Sequence, residues 1–395
     1  MQKKYIAVIL CFCLLFVSCQ KSGNINGGRD AMHRVSTMAG SDSIYYAQGF
    51  QIETHIDFKL VQIKNPWHSN KLLQTYILVP KTEPLPEPLP EGIVIRTPLE
   101  KTAVFSSVVC GMLNELDVLS SLTGVAEPQY INIPYIKNGI INGTIQDIGQ
   151  ASNPDIEKLM MIEPEVIFTN PVNEAGAGSL DKLTIPAFSC LEWMENHPLG
   201  QAEWIRLIGL LFDKEAFADS LFFETVRSYS ALKEQTATVD YRPTVFAEKK
   251  YGDFWYMPGG KSYFAHLLED AGADYIFREN ESAGSIPYSF ETILDQAGKA
   301  DFWLFKYYSA QEMTYKQLAD EYANYTLFDA YKKRNIYVCN TLKTPNYYQE
   351  LPLHPDWTLQ DLIKIFHPEL LPEYQPKYYY RVKEYFTKNQ VKKSH

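Results

Sequence analysis

Two glycine-rich segments of this chain come closest to nucleotide-binding motifs, and neither segment completes one. The run GGKS at 259–262 ends like a phosphate loop, but Trp255 stands where that motif requires its first glycine. The run GAG at 176–178 starts like a dinucleotide-binding turn, but Asp181 occupies the place of the third glycine. The chain also has no G-x-S-x-G and no H-E-x-x-H sequence, which argues against hydrolase and zinc-protease chemistry. We therefore expect no catalytic residues.

Histidines and cysteines are the other residues that could hold a metal, and their spacing does not favour one. The 8 histidines are scattered along the chain, whereas a metal site needs clustered ligands. There is no C-x-x-C spacing, so zinc knuckles and dithiol redox motifs are excluded. An oxidising compartment would allow one disulfide among Cys110, Cys190 and Cys339, but the sequence does not assign the pair. We expect neither a bound metal nor a cofactor.

The N-terminus has the pattern of a secretory signal. Lys3 and Lys4 precede an apolar run at 5–17, which is too short for the roughly 20 residues of a membrane-spanning helix. The run ends in LFVSC at 15–19, which resembles a bacterial lipobox, so Cys19 is the expected lipidation site; a plain signal peptide is the alternative. The polar stretch at 20–40 would then be a flexible tether.

The net charge and the aromatic content limit the kinds of molecule that the chain is expected to bind. The formal net charge of -10 argues against nucleic acid, which requires a basic surface. The 27 tyrosines and 21 phenylalanines can serve as core residues, and they can also line pockets for large flat ligands. About 375 residues remain after signal cleavage, which favours two domains or one large one. We expect a monomer.

The order of elements predicts an α/β protein with a β-rich N-terminal arm. Alternating apolar residues predict strands between 40 and 80, and the proline-rich run at 80–92 predicts a stiff linker with a domain boundary near Gly92. Short apolar strands then alternate with helical segments, as in parallel sheets. The stretch at 213–238 has no Gly or Pro and predicts one long helix. The segment NPDIEKL predicts a helix with Pro154 in its first turn and Asn153 as its cap.

A weak internal repeat places one glutamate in each half of the chain. PDIEKLMMIEPEVIF and SFETILDQAGKADFWLF share an early acidic residue, an apolar helix face and a following strand. Glu157 and Glu291 occupy matching places. Early-turn glutamates also complement the helix dipole, so the repeat alone does not assign them a function.

The span from Ile93 to about Leu370 resembles the periplasmic binding family for ferric siderophores, haem and vitamin B12, and most closely a Bacteroides-type lipoprotein branch. Five features in order carry the resemblance: the serine pair SS at 106–107, DIGQASNPDIEKLMMIEPEVIF, the single long helix, WYMPGGKSYFAHLLEDAGADYIF, and SFETILDQAGKADFWL. The resemblance implies two Rossmann-like α/β lobes bridged by one rigid helix, with the ligand between them. The expected divisions are 1–19 signal, 20–40 tether, 41–90 arm and linker, 91–212 N-terminal lobe, 213–240 bridging helix, 241–385 C-terminal lobe and 386–395 tail.

The resemblance also implies roles for particular residues. Glu157 and Glu291 would dock on arginines of an ABC permease dimer. Ligands in such a fold lie at the carboxyl ends of the strands. The expected ligand contacts are Ser106, Ser107, Asn170, Pro171, Trp193, Tyr251, Trp255, Lys306, Tyr307 and Asn340.

These contacts do not identify the ligand. Lys306 suits an anionic catecholate, carboxylate or propionate group, Trp255 suits a corrin or porphyrin plane, and a tyrosine could ligate haem iron. The expected protein is a lipid-anchored, periplasm-facing binding protein of an ABC importer. The alternatives are a capture lipoprotein without a permease and an enzyme on the same scaffold. The run after Cys19 lacks the acidic cluster that tends to accompany surface export.

Overall fold

The computed structural model describes residues 43–174, 180, 183–344 and 346–384. The expected signal, tether and tail, and with them Cys19, lie outside these residues. Within the described part, no helix is both long enough and apolar enough to cross a membrane.

A four-stranded sheet forms the N-terminal arm. Alternation of apolar and polar residues builds it: Phe50 and Ile52 point into the core, and Gln51 between them points to solvent. The first three strands are antiparallel neighbours, and the fourth pairs parallel to the third. The strands are β1 (Phe50–Thr54), β2 (Lys59–Lys64), β3 (Leu72–Pro80) and β4 (Ile93–Thr97).

The boundary predicted near Gly92 falls between two paired strands of one sheet. The proline-rich segment connects β3 to β4 inside one sheet, so the arm continues to Thr97. Prolines keep this connection out of both strands because proline lacks the N–H that a sheet hydrogen bond requires. The arm then packs directly on the next sheet, where the Tyr76 hydroxyl donates to the Ala187 carbonyl at 2.8 Å and accepts from the Ser189 N–H at 2.9 Å.

The N-terminal lobe is built on a five-stranded parallel sheet of order β11-β10-β5-β6-β7. Its central strands are short and fully buried, as expected of a sheet covered on both faces. The strands are β5 (Thr102–Val104), β6 (Leu122–Val125), β7 (Gln146–Asp147), β10 (Val166–Thr169) and β11 (Ala187–Ser189). The helices are α1 (Ser107–Glu115), α2 (Pro134–Asn142) and α3 (Ile156–Ile162).

The start of α3 differs from the sequence prediction. Asn153 and Pro154 do not cap or open the helix; they form strand β9 (Asn153–Pro154), which pairs with β8 (Gly149–Gln150). Asp155 is the cap, and its carboxylate accepts the Lys158 N–H at 3.0 Å.

Two consecutive helices lead from the first lobe to the second. Helix α4 (Pro198–Leu210) is buried along its whole length. Helix α5 (Glu215–Thr236) has 22 residues, about 33 Å at 1.5 Å per residue, and confirms the single long helix. It buries Phe222, Val226, Tyr229 and Leu232 against α4 and a late helix of the second lobe.

The C-terminal lobe repeats the pattern with a sheet of order β15-β12-β17-β18-β19, in which only the last strand is antiparallel. A small antiparallel sheet, β13-β14-β16, accompanies it. The strands are β12 (Thr244–Ala247), β13 (Lys250–Tyr251), β14 (Phe254–Pro258), β15 (Asp274–Tyr275), β16 (Ser285–Tyr288), β17 (Phe302–Tyr307), β18 (Ile336–Asn340) and β19 (Tyr380–Arg381). The helices are α6 (Tyr263–Asp270), α7 (Phe290–Ala297), α8 (Tyr315–Glu321), α9 (Asp329–Lys332), α10 (Tyr347–Glu350) and α11 (Pro355–Phe366). The predicted α/β class with two parallel sheets is confirmed.

Candidate ligand-binding site

The carboxyl ends of the N-terminal strands collect several of the predicted contacts. Ser106 follows β5 and is buried at the start of α1, and Ser107 beside it is half-buried. Asn170 and Pro171 follow β10, and the Asn170 Oδ1 is buried without a hydrogen-bond partner among the described residues. Trp193 follows β11 and is 41% exposed, so it offers an open aromatic face. Because parallel strands end at one edge, these residues share that edge of the sheet.

A buried carboxylate next to Trp193 was missed by the sequence analysis. Glu192 is fully buried, and neither of its carboxylate oxygens has a hydrogen-bond partner in the described part of the chain. Burial raises the pKa of Glu192 to about 7, since a low-dielectric surrounding disfavours the charged form. No sequence signal separates this glutamate from the solvated ones nearby.

Lys306 is a charged residue at the carboxyl ends of the strands in the C-terminal lobe. It lies near the end of β17, forms an ion pair with Glu248, and places its Nζ 4.9 Å from the centroid of the Phe264 ring. Burial alone would lower the pKa of Lys306, but the carboxylate of Glu248 outweighs it and the net shift is upward. Lys306 is therefore held as an ammonium ion at the position that the sequence predicted for a ligand contact.

Glu248, which the sequence analysis also missed, is held in an uncommon backbone conformation at the end of β12. Its φ of 59° lies in the left-handed region that residues other than glycine rarely adopt. Two hydrogen bonds fix it there: its N–H donates to the Leu304 carbonyl at 2.8 Å, and its carbonyl accepts the Trp303 Nε1–H at 2.6 Å. The strand end thus positions the carboxylate beside Lys306.

Trp255, which was predicted to contact the ligand, lies in the core of this structure. The side chain has 0% exposure, packs against Phe246 and Trp303, and donates from Nε1 to the Ala247 carbonyl at 2.9 Å. Strand alternation explains this burial, because the indole points inward in β14. The neighbouring aromatics Phe254 and Tyr256 point outward instead.

Tyr307 and Asn340 are also structural. The Tyr307 hydroxyl pairs with the Tyr380 hydroxyl and accepts the Met313 N–H at 2.9 Å. Asn340 is fully buried and donates to the Ser309 carbonyl at 2.8 Å. Both side chains are held by hydrogen bonds within the C-terminal lobe, at the ends of β17 and β18, and their contact with a ligand stays a prediction.

Exposed aromatic residues remain at this edge of the C-terminal lobe. Tyr251, at the β13–β14 hairpin, is 80% exposed. Tyr308 follows β17, and Tyr348 lies in α10 after β18; both are exposed as well. Of the predicted aromatics, Tyr251 and Trp193 therefore stay available to a ligand, and Tyr308 and Tyr348 join them.

The two repeat glutamates occupy equivalent places in the structure. Glu157 lies in the first turn of α3 and Glu291 in the first turn of α7, one in each lobe. Both are exposed, and neither forms an ion pair with a described residue. Each helix also has its own side-chain cap, Asp155 or Ser289, so its N-terminus does not depend on the glutamate for capping.

The described residues contain neither a cluster of metal-ligating side chains nor a disulfide bond. No group of three or more His, Cys, Asp or Glu side chains there could hold a metal ion. Cys110, Cys190 and Cys339 are free thiols, and all three are buried.

Comparison with known proteins agrees with this architecture. A family model described as periplasmic binding protein matches residues 103–341. An uncharacterised lipoprotein of Methanocaldococcus jannaschii is 28% identical over 312 residues, which are 75% of this chain and 73% of that protein.

Solved structures share the fold at low identity. A possible iron-binding (periplasmic solute-binding) protein from Staphylococcus epidermidis superposes with a TM-score of 0.55 at 18% identity, covering 69% of this chain and 100% of that one. An ABC-type Fe3+-hydroxamate transport system from Saccharomonospora viridis superposes with a TM-score of 0.52 at 17% identity, covering 68% of this chain and 94% of that one. The family model spans more than half of the chain and reaches into both sheets. This chain therefore belongs to the periplasmic binding protein family.

Proposed function

We propose that this protein binds an iron–siderophore complex, haem or a corrinoid between its lobes and delivers it to the permease of an ABC importer. The observation that carries the proposal is the Lys306 site: an ammonium ion beside a carboxylate and an aromatic ring, at a strand end. Catecholates, carboxylates and propionates are anionic groups that such a cation binds through charge-assisted hydrogen bonds. Trp193 and Tyr348 add exposed aromatic surface for a large flat ligand.

The delivery step is assigned to Glu157 and Glu291. They are exposed, unpaired with described residues and carried one by each lobe, which suits a basic partner that contacts both lobes at once. Charged groups at the rim of an interface steer association and set its register. A permease dimer with matching arginines is the expected partner.

The solute is tested by titrating the purified protein with haem, cyanocobalamin and a ferric tris-catecholate while recording visible spectra. Saturable spectral change with one of the three supports the proposal. Absence of binding by all three contradicts it.

Delivery is tested separately, with vesicles that contain the permease. The Glu157→Ala/Glu291→Ala double variant should bind solute like wild type but deliver it poorly. Glu224→Ala, an exposed glutamate on α5 outside both first turns, is the matched control and should deliver normally. Undiminished delivery by a folded double variant would overturn the docking assignment, and simple helix-dipole stabilisation of about 0.3–1 kcal/mol per site would then explain both residues.

The anchor is assigned to Cys19. The lipobox-like run before it is the support, together with the lipoprotein relative. Cys19→Ala should move the protein from the membrane to the soluble fraction on cell fractionation. Membrane retention of that variant would place the anchor elsewhere.

A further inference from the structure

A cavity of about 690 Å³ lies where the N-terminal arm meets both lobes. The arm contributes Lys64 and Lys71, the N-terminal lobe contributes Leu191 and Met194 from the turn after β11, and the C-terminal lobe contributes Ala283. This volume falls within the range of roughly 300–1,000 Å³ typical of small-molecule sites. The cavity therefore joins the ligand-facing edge of the first lobe to a part of the chain outside the family match.

The β2–β3 hairpin at 64–72, which forms the arm's wall of this cavity, is fastened to the N-terminal lobe. Asn65 donates from Nδ2 to Glu174 Oε1 at 2.9 Å, and His68 Nε2 lies 2.6 Å from Glu174 Oε2. The other end of the Asn65 side chain accepts the N–H groups of Trp67 and His68 at 2.9 and 3.0 Å. Because Glu174 belongs to the loop after β10, the hairpin is held at the carboxyl ends of the strands, where ligands bind in this type of sheet.

Two buried carboxylates fix the chain that leads into the arm. Glu203 accepts the backbone N–H groups of residues 45–47, and Glu195 accepts those of residues 48–49, all within 3.1 Å. Arg206 bonds the Glu203 carboxylate at 2.8 Å and the Ser43 carbonyl at 2.7 Å. The wall of the cavity is thus pre-organised, which reduces the entropy lost when a solute binds.

The charge of the cavity favours an anion. Neither Lys64 nor Lys71 forms an ion pair with a described residue. The acidic residue in the wall, Glu195, already accepts hydrogen bonds from Gln48, Gly49 and Trp204. Two lysines that form no ion pair with a described residue therefore line a space of solute size. We propose that the hairpin at 64–72 is a wall of the solute site, and that Lys64 and Lys71 bind an oxyanion group at the periphery of the solute; this rests on the proposed function.

The first experiment compares three proteins: wild type, Lys64→Gln/Lys71→Gln, and the matched control Lys101→Gln/Lys299→Gln, whose lysines are exposed and outside the cavity. Each is titrated with haem, cyanocobalamin and the ferric tris-catecholate. The cavity variant should bind the solute at least about ten-fold more weakly, with a smaller salt dependence, since charge-assisted hydrogen bonds are lost. The control should match wild type. If wild type binds a solute and the cavity variant binds it equally well, the inference is wrong while the proposed function stands.

A second measurement does not need the natural solute. Lysine acetylation of the wild-type protein is mapped by mass spectrometry with and without citrate, a tricarboxylate probe. Citrate should protect Lys64 and Lys71 and leave Lys101 and Lys299 unprotected. If citrate protects neither cavity lysine, the inference fails, even where none of the three solutes binds and the proposed function fails as well.

Discussion

Asn132 of the N-terminal lobe donates from Nδ2 to the Oδ1 of Asn346 in the C-terminal lobe across 3.0 Å. A second bond runs beside it, from Gln349 Nε2 to the Tyr130 carbonyl at 3.2 Å. Helix α10, which carries Gln349, packs on α1 of the first lobe. Together with α5, these contacts join the lobes at more than one place, so opening them requires breaking side-chain hydrogen bonds as well as bending a helix.

We expect the lobes to move little when solute binds. Helix α5 has no Gly or Pro in its interior to act as a kink, and the Asn132–Asn346 bond adds a second restraint. Small-angle scattering should give closely similar radii of gyration with and without solute. A large compaction on binding would show that the lobes hinge despite these restraints.

Lys306 and Glu248 should affect solute affinity in opposite directions. Lys306→Met removes the cation, so affinity for an anionic solute should fall about ten-fold or more. Glu248→Gln removes the competing carboxylate, so affinity should stay or rise. The Lys306→Met/Glu248→Gln double variant restores charge balance at the site and serves as the folding control. Solute titration with a melting curve for each variant checks this, and unchanged affinity of the single lysine variant would remove Lys306 from the site.

Glu192 should make the folded state less stable as the pH rises. Burial raises its pKa from 4.5 to about 7, so the folded state holds the proton more tightly than the unfolded state. The stability that protonation supplies is full below about pH 4.5 and is lost as the pH rises through about 7. Glu192→Gln cannot ionise, so it should match wild type near pH 4.5 and exceed it near pH 8 by at most about 3 kcal/mol.

Denaturant unfolding of both proteins at the two pH values measures this difference. Glu224→Gln, which changes an exposed glutamate on α5, should shift stability equally at both pH values. A Glu192→Gln protein no more stable than wild type at pH 8 would mean that the carboxylate has an ionised-state partner.

The buried pair of Glu203 and Arg206 should be necessary for the arm to dock. Glu203→Gln removes one of the two carboxylates that pair with Arg206, the other being Asp219 at 2.6 Å, and it weakens three backbone hydrogen bonds, so the free energy of unfolding should fall by about 1.5–3 kcal/mol. Glu215→Gln, whose ion pair with Lys59 is partly exposed, should cost less than about 1 kcal/mol. Equal losses for the two variants would contradict the arm-locking role.

The sequence predicted the framework well because strand and helix periodicity is local. The long helix, the two parallel sheets and the placement of Glu157 and Glu291 follow from patterns of four to twenty residues. The direction of a single side chain does not. Trp255 was assigned to the cleft because tryptophan suits a flat ligand. Side chains alternate between the two faces of β14, however, and the Trp255 side chain lies on the face that packs in the core.

Contacts between residues that are far apart in sequence could not be predicted either, because local patterns do not show which strands pair. Glu248 meets Lys306 only because their strands are neighbours, 58 positions apart in sequence. The bonds from Glu174 to Asn65 and His68 depend equally on how the arm returns to the sheet. The proline-rich run marked a linker by composition, but strand pairing decided that β4 belongs to the arm.

Helix α4 has no solvent-facing side, because the arm covers what would otherwise be its outer surface. A fragment that begins at Ala103, where the family match starts, would keep α4 and lose that cover. It would expose Trp204 and leave the Glu203 and Glu195 carboxylates without the N–H groups of residues 45–49. We therefore expect a fragment limited to the stretch shared with other family members to be less stable than a chain that includes the arm. Recombinant fragments and gene fusions should therefore retain the arm together with the two lobes.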